Sequence, residues 1–260
     1  MMPKRSVLLR AALAAVVITV LLSSHVFAGN REIGGYVAQA EDRFVRNVWN
    51  FIKNFQSSQN IGSHSWKYDQ YYYMEPFVFE GSHGSYVDSQ DLAYVACHGT
   101  DWKLCSHWGT VDVDLRDAPG YGDLPQGHDM EFFIVESCST FISAADPGFD
   151  WQGYRYNGPG GMMRGLHQGM GFRTDSYSDN EIPAYFALRT RCNQIVWCAW
   201  FDAIQDERAA PARGPWEPEA GVAYPGWASA IMPKQCKWDR LGSYVADPVA
   251  ADLMYNVWED

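Results

Sequence analysis

Two short apolar segments constrain the fold of this chain more than any other feature of its sequence. The first, Asp91–Cys97, is followed by His98 and Gly99, and the second, Glu131–Ser137, is followed by Cys138. Apolar runs of four to eight residues between turn residues are typical of strands that are buried on both faces of a parallel sheet. The sequence therefore predicts that both segments are core strands of an α/β protein.

Helical and strand patterns alternate along the rest of the chain. Apolar residues at spacings of three or four predict helices over Tyr36–Gln56 and Ala184–Glu207. Further strands are predicted over Trp66–Phe79, Gly165–Thr174 and Trp227–Met232. This alternation favours a three-layer α/β/α sandwich, in which helices cover both faces of a mostly parallel sheet.

The first 28 residues have the features of a secretory signal peptide. Three basic residues precede the apolar run Ala11–Leu22, and small residues lead to a cleavage position after Ala28. The run is too short and wrongly flanked for a membrane span, although an uncleaved N-terminal anchor is the alternative. We therefore expect a secreted, extracellular protein with no stable membrane insertion after signal removal, and a single domain over residues 29–260.

The charge of the chain argues against nucleic-acid binding. Its formal net charge is −11, and removal of residues 1–28 takes away three basic residues and no acidic ones, which makes it −14. Neutralisation of phosphates needs a basic patch, and the sequence shows none. With 47% hydrophobic and 20% charged residues, the composition is that of a folded globular protein. We expect no nucleic-acid partner and no cofactor.

The six cysteines have a particular meaning in an exported protein, because disulfides persist outside the cytosol. They are Cys97, Cys105, Cys138, Cys192, Cys198 and Cys236. They permit three bridges in fifteen connectivities, which the sequence does not distinguish. Cys97, His98, Cys105 and His107 also suggest a metal site, but the adjacency of the first two is unlike the usual spacing of zinc ligands. We therefore predict no metal ion.

His98 and Cys138 stand at positions where α/β proteins place functional groups. In open α/β sheets these groups collect at the carboxyl ends of the strands, so parallel neighbours would bring the imidazole and the thiol to the same edge. A thiol becomes a nucleophile when a base removes its proton, and imidazole is such a base near neutral pH. We expect Cys138 as nucleophile, His98 as base, and the N–H groups of Gly99 and Cys138 as oxyanion donors.

These strand ends resemble those of the caspase, legumain and gingipain-like cysteine peptidases. The matching segments are Tyr94–Gly99 (YVACHG) and Phe133–Ser139 (FIVESCS), and the acidic and small residues before the cysteine are closest to the legumain type. The chain is also similar to uncharacterised secreted bacterial proteins of this kind. The resemblance implies the caspase-like fold, a mixed sheet of about six strands between helices, with His98 as base and Cys138 as nucleophile. The Cys-x-Gly ending of the caspase signature is absent.

Other residues near these strand ends are candidates for a substrate cleft. They are Trp102, Trp108, Glu136, Ser137 and His167. Trp102 and Trp108 follow the first strand end and offer aromatic faces to a substrate, although most Trp side chains in a domain of this size fill the core. His167 follows Cys138 in the order used by papain-like enzymes and is a second candidate partner for the thiol. The segment Gly165–Gly171 around it matches no functional motif.

Together, these observations predict a secreted cysteine hydrolase, in function a peptidase that acts on a peptide or protein substrate. The negative net charge favours a basic residue at the cleavage position. The alternative is a non-catalytic exported binding or interaction module with the same fold, in which Cys138 is a structural thiol. The reactivity of the Cys138 thiol distinguishes the two.

Overall fold

In a computed structural model, the described part of the chain contains eleven strands and five α-helices, joined by loops and 3₁₀ turns. The described residues are 30–37, 42–55, 58–70, 75–105, 112–122, 129–154, 161–177, 181–209, 225–248 and 252–259. The signal-peptide prediction for residues 1–28 and the cleft prediction for Trp108 fall outside them.

Eight of the described strands form one large sheet. The strands are β1 (Asn30–Val37), β2 (Ser58–Ile61), β3 (His64–Gln70), β4 (Leu92–Ala96), β5 (Gly99–Thr100), β6 (Lys103–Cys105), β7 (Asp112–Asp114), β8 (Phe132–Glu136), β9 (Gln168–Phe172), β10 (Ala228–Pro233) and β11 (Leu253–Trp258). The large sheet has the order β11-β10-β9-β8-β4-β1-β3-β2, and β5, β6 and β7 form a small antiparallel sheet.

The large sheet is mostly parallel, as the sequence predicts. β9, β8, β4, β1 and β3 run in one direction, whereas β2, β10 and β11 pair antiparallel to their neighbours at the two sides. Its eight strands exceed the six or so that were expected, because the sequence analysis missed β1, β2 and β11. The apolar residues at the end of β1 continue the spacing of three or four residues of the helix that follows, so they were interpreted as part of that helix. The two edge strands, β2 and β11, lack a continuous apolar run.

The three long helices pack together on one face of the sheet. The helices are α1 (Asp42–Phe55), α2 (Pro76–Phe79), α3 (Trp151–Tyr154), α4 (Ile182–Arg191) and α5 (Val196–Ala209). The helix predicted from Tyr36 begins at Asp42, because Tyr36 belongs to β1. The helix predicted over Ala184–Glu207 is two helices, α4 and α5, and they are separated near Asn193, where the backbone is left-handed with a φ of 58°. Within the described residues, no helix is both long and apolar enough to cross a membrane.

Successive residues of the core strands face opposite sides of the sheet. Leu92 and Tyr94 of β4 pack with the long helices, whereas Ala93 and Val95 pack into a second core on the other face. The α/β class is therefore confirmed. Among the described residues, the second face is covered by loops, α2, α3 and the small sheet, because the chain between β4 and β8 forms β5, β6 and β7 there.

The glycine-rich segment that includes β9 has a packing role. A Cβ on Gly165 would lie 1.2 Å from the carbonyl oxygen of Gly122. One on Gly171 would lie 2.6 Å from the carbonyl oxygen of Val135 and 3.0 Å from the Phe141 ring. Glycine at these positions allows the backbone of Gly122 and Val135 to pack directly against this segment.

We expect Gly171→Ala to lower the free energy of unfolding by about 1–3 kcal/mol, because the added methyl group overlaps the backbone of β8. Denaturant unfolding measures the difference. Gly81→Ala is the matched control, since a Cβ there meets nothing within 4 Å. Its stability should stay within about 0.5 kcal/mol of the parent. Equal losses in the two variants would contradict this role of Gly171.

Candidate active site

The two strand ends that carry His98 and Cys138 lie side by side. β4 pairs with β8 in parallel register, and the last paired residues are Ala96 and Glu136. His98 and Cys138 each follow two residues later, so the structure brings them to the same edge of the sheet. Both line one cavity of about 140 Å³. Other side chains of its lining include Arg43, Phe44, Glu136, Ser137, Ser176 and Tyr177.

The first turn of α1 supplies one wall of this cavity because of where β1 ends. β1 is parallel to β4, and Val37 pairs with Ala96, so the chain leaves β1 at the same edge of the sheet. α1 then packs along the sheet, with Arg43 and Phe44 of its first turn beside the strand ends. The Phe44 ring meets the His98 ring edge to face, with 5.0 Å between the centroids.

Arg43 determines the position of the proton on His98. Its Nη2 lies 2.7 Å from His98 Nε2. A guanidinium group only donates hydrogen bonds, so Nε2 accepts, and a neutral imidazole carries its proton on Nδ1. This Nδ1–H becomes a proton donor to a leaving group once Nε2 also carries a proton.

The Cys138 thiol is held by the backbone of Ser176. Its Sγ donates to the Ser176 carbonyl oxygen and accepts from the Ser176 N–H, both at 3.4 Å. Burial raises the pKa of the Cys138 thiol and Asp175 adds to the increase, whereas the Ser176 N–H and Arg43 act to lower it. The net effect is a raised pKa, so the cysteine is a neutral thiol near neutral pH. Among the described residues, none of the six cysteines, Cys138 included, is in a disulfide.

The turn after Cys138 is tied to the chain beyond β9. Ser139 has a left-handed φ of 49°, a conformation that costs a non-glycine residue about 1–2 kcal/mol. Its N–H donates to the Thr174 carbonyl oxygen at 3.0 Å, and its hydroxyl donates to Asp175 Oδ1 at 3.1 Å. These bonds hold the turn in its strained conformation and so fix the position of the thiol.

Gly99 packs against this turn. A Cβ on Gly99 would lie 2.0 Å from Ser137 Oγ and 2.5 Å from Thr140 Oγ1. The protein's own side chains therefore occupy the space beside Gly99. The N–H of Cys138 contacts its own sulfur and acts to lower the pKa of the thiol. The oxyanion roles of the two N–H groups stay predictions.

Glu136 is a buried acidic residue at the end of β8, and it lines the cavity as predicted. It accepts hydrogen bonds from Asn47 Nδ2, at 2.7 Å, and from the Tyr94 hydroxyl. Burial, together with the charge of Glu136, raises the pKa of Tyr94 well above its ordinary value. The buried carboxylate thus has two hydrogen-bond donors.

Several residues of this site were not predicted from the sequence, among them Arg43, Asn47 and Tyr94. Arg43 and Asn47 are four residues apart, so the predicted helix already places them on one face of α1. The pattern does not show that this face meets the strand ends, because β1 was not recognised as a strand.

Trp102 belongs to the core and does not line the cavity. It has a left-handed φ of 67° in the turn between β5 and β6. Its side chain lies in the core on the opposite face of the sheet, where it is 2% exposed and its ring centroid is 4.4 Å from that of Tyr154. The expected cleft wall is therefore a structural side chain.

His167 and Cys138 lie at opposite ends of the parallel strands, because His167 precedes β9 and Cys138 follows β8. β9 is parallel to β8, with Gln168 level with Phe132. Cys138 lies roughly 20 Å further along the strand direction, at about 3.3 Å per residue. His167 and Cys138 therefore do not form a pair. Instead, His167 is buried, and its Nδ1 lies 2.7 Å from Asp239 Oδ2.

Comparison with known proteins gives one family. The sequence matches the family described as "Domain of unknown function (DUF6345)" over residues 34–219. This match covers more than half of the chain and includes Arg43, His98 and Cys138. No curated protein matches the chain.

We expect Tyr94→Phe to lower the free energy of unfolding by about 1.5–3 kcal/mol, because it removes a hydrogen bond to a buried carboxylate. Tyr121→Phe is the matched control. Tyr121 is equally buried, but its hydroxyl donates to the neutral carbonyl oxygen of Phe79, at 2.9 Å, so its loss should cost about 0.5–1.5 kcal/mol. Denaturant unfolding compares the two. A smaller loss in Tyr94→Phe would show that Glu136 does not depend on this donor.

Proposed function

The chain belongs to the DUF6345 family, and we propose that it is a cysteine hydrolase, in function a peptidase, with Cys138 as nucleophile and His98 as its acid–base partner. The observation that carries the proposal is the parallel β4–β8 pair, because its ends bring the thiol and the imidazole to the lining of one cavity. The resemblance of these strand ends to caspase, legumain and gingipain-like peptidases supports the same pair, and with it a caspase-like arrangement of the sheet.

Peptide cleavage by this pair passes through a thioester. The Cys138 thiol gives its proton to His98 Nε2 as Arg43 releases that nitrogen, which makes an imidazolium, and the thiolate sulfur forms a bond to the carbonyl carbon of the substrate. The C–N bond breaks as the imidazolium Nδ1–H protonates the leaving amine, which leaves a neutral imidazole. Nδ1 then takes a proton from a water molecule whose oxygen attacks the thioester, and as the acid product leaves, the Cys138 sulfur recovers a proton from the imidazolium.

Arg43 acts on both groups of this mechanism. In the absence of substrate, its hydrogen bond to Nε2 keeps the proton of a neutral His98 on Nδ1, and its charge acts to lower the pKa of the Cys138 thiol. The cavity lining also includes the Glu136 carboxylate, and Asp175 acts on the same thiol. The charges of the site therefore do not favour one class of substrate side chain, and the basic residue at the cleavage position stays a prediction.

We further propose that the protein is secreted and meets a peptide or protein substrate outside the cell. The support is the sequence of residues 1–28, in which a basic start is followed by the apolar run Ala11–Leu22. The negative net charge argues against a nucleic acid as partner.

A non-catalytic binding module is the second candidate. It is favoured by the two hydrogen bonds between Cys138 and the backbone of Ser176, which satisfy the thiol without a base. A neutral thiol with a raised pKa reacts slowly near neutral pH. In the hydrolase, substrate binding must displace Ser176 from the sulfur, whereas in the module these contacts persist.

Hydrolysis of a fluorogenic peptide library should fall by about a thousandfold or more in Cys138→Ala and in His98→Ala, because each variant lacks a group that reacts. Cys192→Ser is the matched control, since this thiol is exposed just after α4, and its hydrolysis rate should equal that of the parent. Turnover that survives in Cys138→Ala would contradict the proposed nucleophile. A parent chain that cleaves no peptide would favour the binding module.

The rate at which iodoacetamide alkylates Cys138 should still rise at pH values at which an ordinary cysteine is already ionised, because the raised pKa keeps the thiol protonated and the thiolate is the reactive form. Asp175→Asn should move the pH profile to lower values, since the Asp175 carboxylate raises this pKa. Arg43→Gln should move it to higher values. Mass spectrometry of the Cys138 peptide follows the rate, and shifts in the reverse directions would contradict the electrostatics described for the cavity.

A further inference from the structure

A second group of chemically active side chains lies at the edge of the sheet opposite the candidate active site. His167 directly precedes β9, and a 3₁₀ turn, Lys234–Cys236, follows β10. β9 and β10 are antiparallel, with Gly169 opposite Ile231, so β10 leaves the sheet where β9 enters it. This topology brings the segment after β10 over His167.

Three side chains bring one nitrogen, one sulfur and one oxygen ligand atom together here. The ligand atoms of His167, Cys236 and Asp239 lie within 4.8 Å of one another, and all three residues are buried. His167 Nδ1 is 2.7 Å from Asp239 Oδ2, and Nε2 is 3.4 Å from Asp247 Oδ1. The Asp247 side chain is 30% exposed, so it lies between the cluster and solvent.

The types and spacing of these ligands fit a zinc ion. Zinc binds Cys sulfur, His nitrogen and carboxylate oxygen, most often with four ligands, whereas calcium and magnesium bind oxygen ligands. Cys236 and Asp239 are separated by two residues, a gap that is common between paired zinc ligands. The Asp239 N–H donates to the Cys236 carbonyl oxygen at 3.2 Å, which closes the turn that presents both side chains. A thiolate, a carboxylate and a neutral imidazole carry two negative charges, which match a divalent cation.

A neighbouring acidic cluster has different chemistry. Asp91, Asp129 and Glu131 also bring their carboxylate oxygens within 4.8 Å of one another. However, Arg31 Nη1 lies 2.5 Å from Asp91 Oδ1 and 3.4 Å from Glu131 Oε1. The guanidinium already supplies positive charge there, and the ligands are oxygen atoms alone. The His167 cluster differs in having nitrogen and sulfur ligands.

We propose that His167, through Nδ1, Cys236 and Asp239 bind a zinc ion whose coordination a water molecule completes, with Asp247 accepting a hydrogen bond from the other ring nitrogen of His167. The ion links the segment after β10 to the start of β9 and so stabilises this edge of the sheet. The site is roughly 20 Å from Cys138 along the strand direction, so the zinc proposal is independent of the proposed hydrolase.

A hydrogen-bonded cluster without metal is the alternative. Burial opposes a charge on His167, but hydrogen bonds to Asp239, Asp247 and Cys236 outweigh it and raise the pKa of His167 to about 11. The cluster is then a buried ion pair. Zinc takes the place of protons on such ligands, so the two alternatives differ in metal content and in the bonding of the Cys236 sulfur, and both properties are measurable.

Zinc content and cobalt spectroscopy of the full chain test the proposal. The measurements use a Cys138→Ala background, so that the candidate active site offers no thiol to the metal. After purification without a chelator we expect about one zinc ion per chain, and after exchange with Co²⁺ a thiolate-to-metal charge-transfer band. Cys236→Ala should lose both signals. Cys192→Ala, the matched control at an exposed thiol, should keep both.

Asp247→Asn tests the site without removing a buried side chain. Loss of this partly exposed carboxylate should weaken zinc binding by about tenfold or more, with an unchanged circular dichroism spectrum. A background chain that binds no zinc after incubation with zinc chloride would overturn the proposal, as would a cobalt complex without the thiolate band. Retention of one zinc ion per chain in Cys236→Ala would also overturn it.

Discussion

The parallel pairing of β4 with β8 is the constraint on which the candidate active site depends. It fixes the register at Ala96 and Glu136, and the alternation of side chains along each strand then decides which face every residue meets. Cys97 packs into the core on one face, whereas His98 and Cys138 meet the first turn of α1 on the other. The reactive groups therefore collect between the edge of the sheet and the beginning of a single helix.

The apolar runs are enough to predict the strand ends that carry His98 and Cys138. They are not enough to predict which other residues pack against those strand ends. A strand that is buried on both sides needs little more than a continuous apolar run, so the sequence analysis located both strand ends. Tyr36 and Val37 are apolar like the residues of the two core strands, but their spacing matches the helical pattern of α1. The sequence pattern therefore does not show that β1 ends at Val37 and that the chain reverses before α1. Arg43 was missed because its position depends on that reversal.

The direction of side chains is a second property that the sequence pattern does not contain. Trp102 follows Gly99 closely in the chain, which favours a place beside His98, yet its side chain lies in the core on the opposite face. His167 is separated from Cys138 by the register of β8 and β9. In both cases the pairing and packing of the strands determine where the side chain lies. Closeness in the sequence therefore does not predict closeness in the structure.

The size of the cavity limits how a substrate reaches Cys138 in the proposed mechanism. Its volume of about 140 Å³ is well below the roughly 300–1,000 Å³ of sites that enclose a small ligand. In that mechanism a peptide chain would bind across the opening, and only the scissile group or one side chain would enter. Entry of that group would require the Ser176 backbone to release the sulfur, which would remove both hydrogen bonds that satisfy the thiol in the absence of substrate. In the proposed hydrolase the contacts of Ser176 would thus oppose reaction until a substrate replaced them, and the reactivity of Cys138 would depend on substrate binding as well as on its pKa.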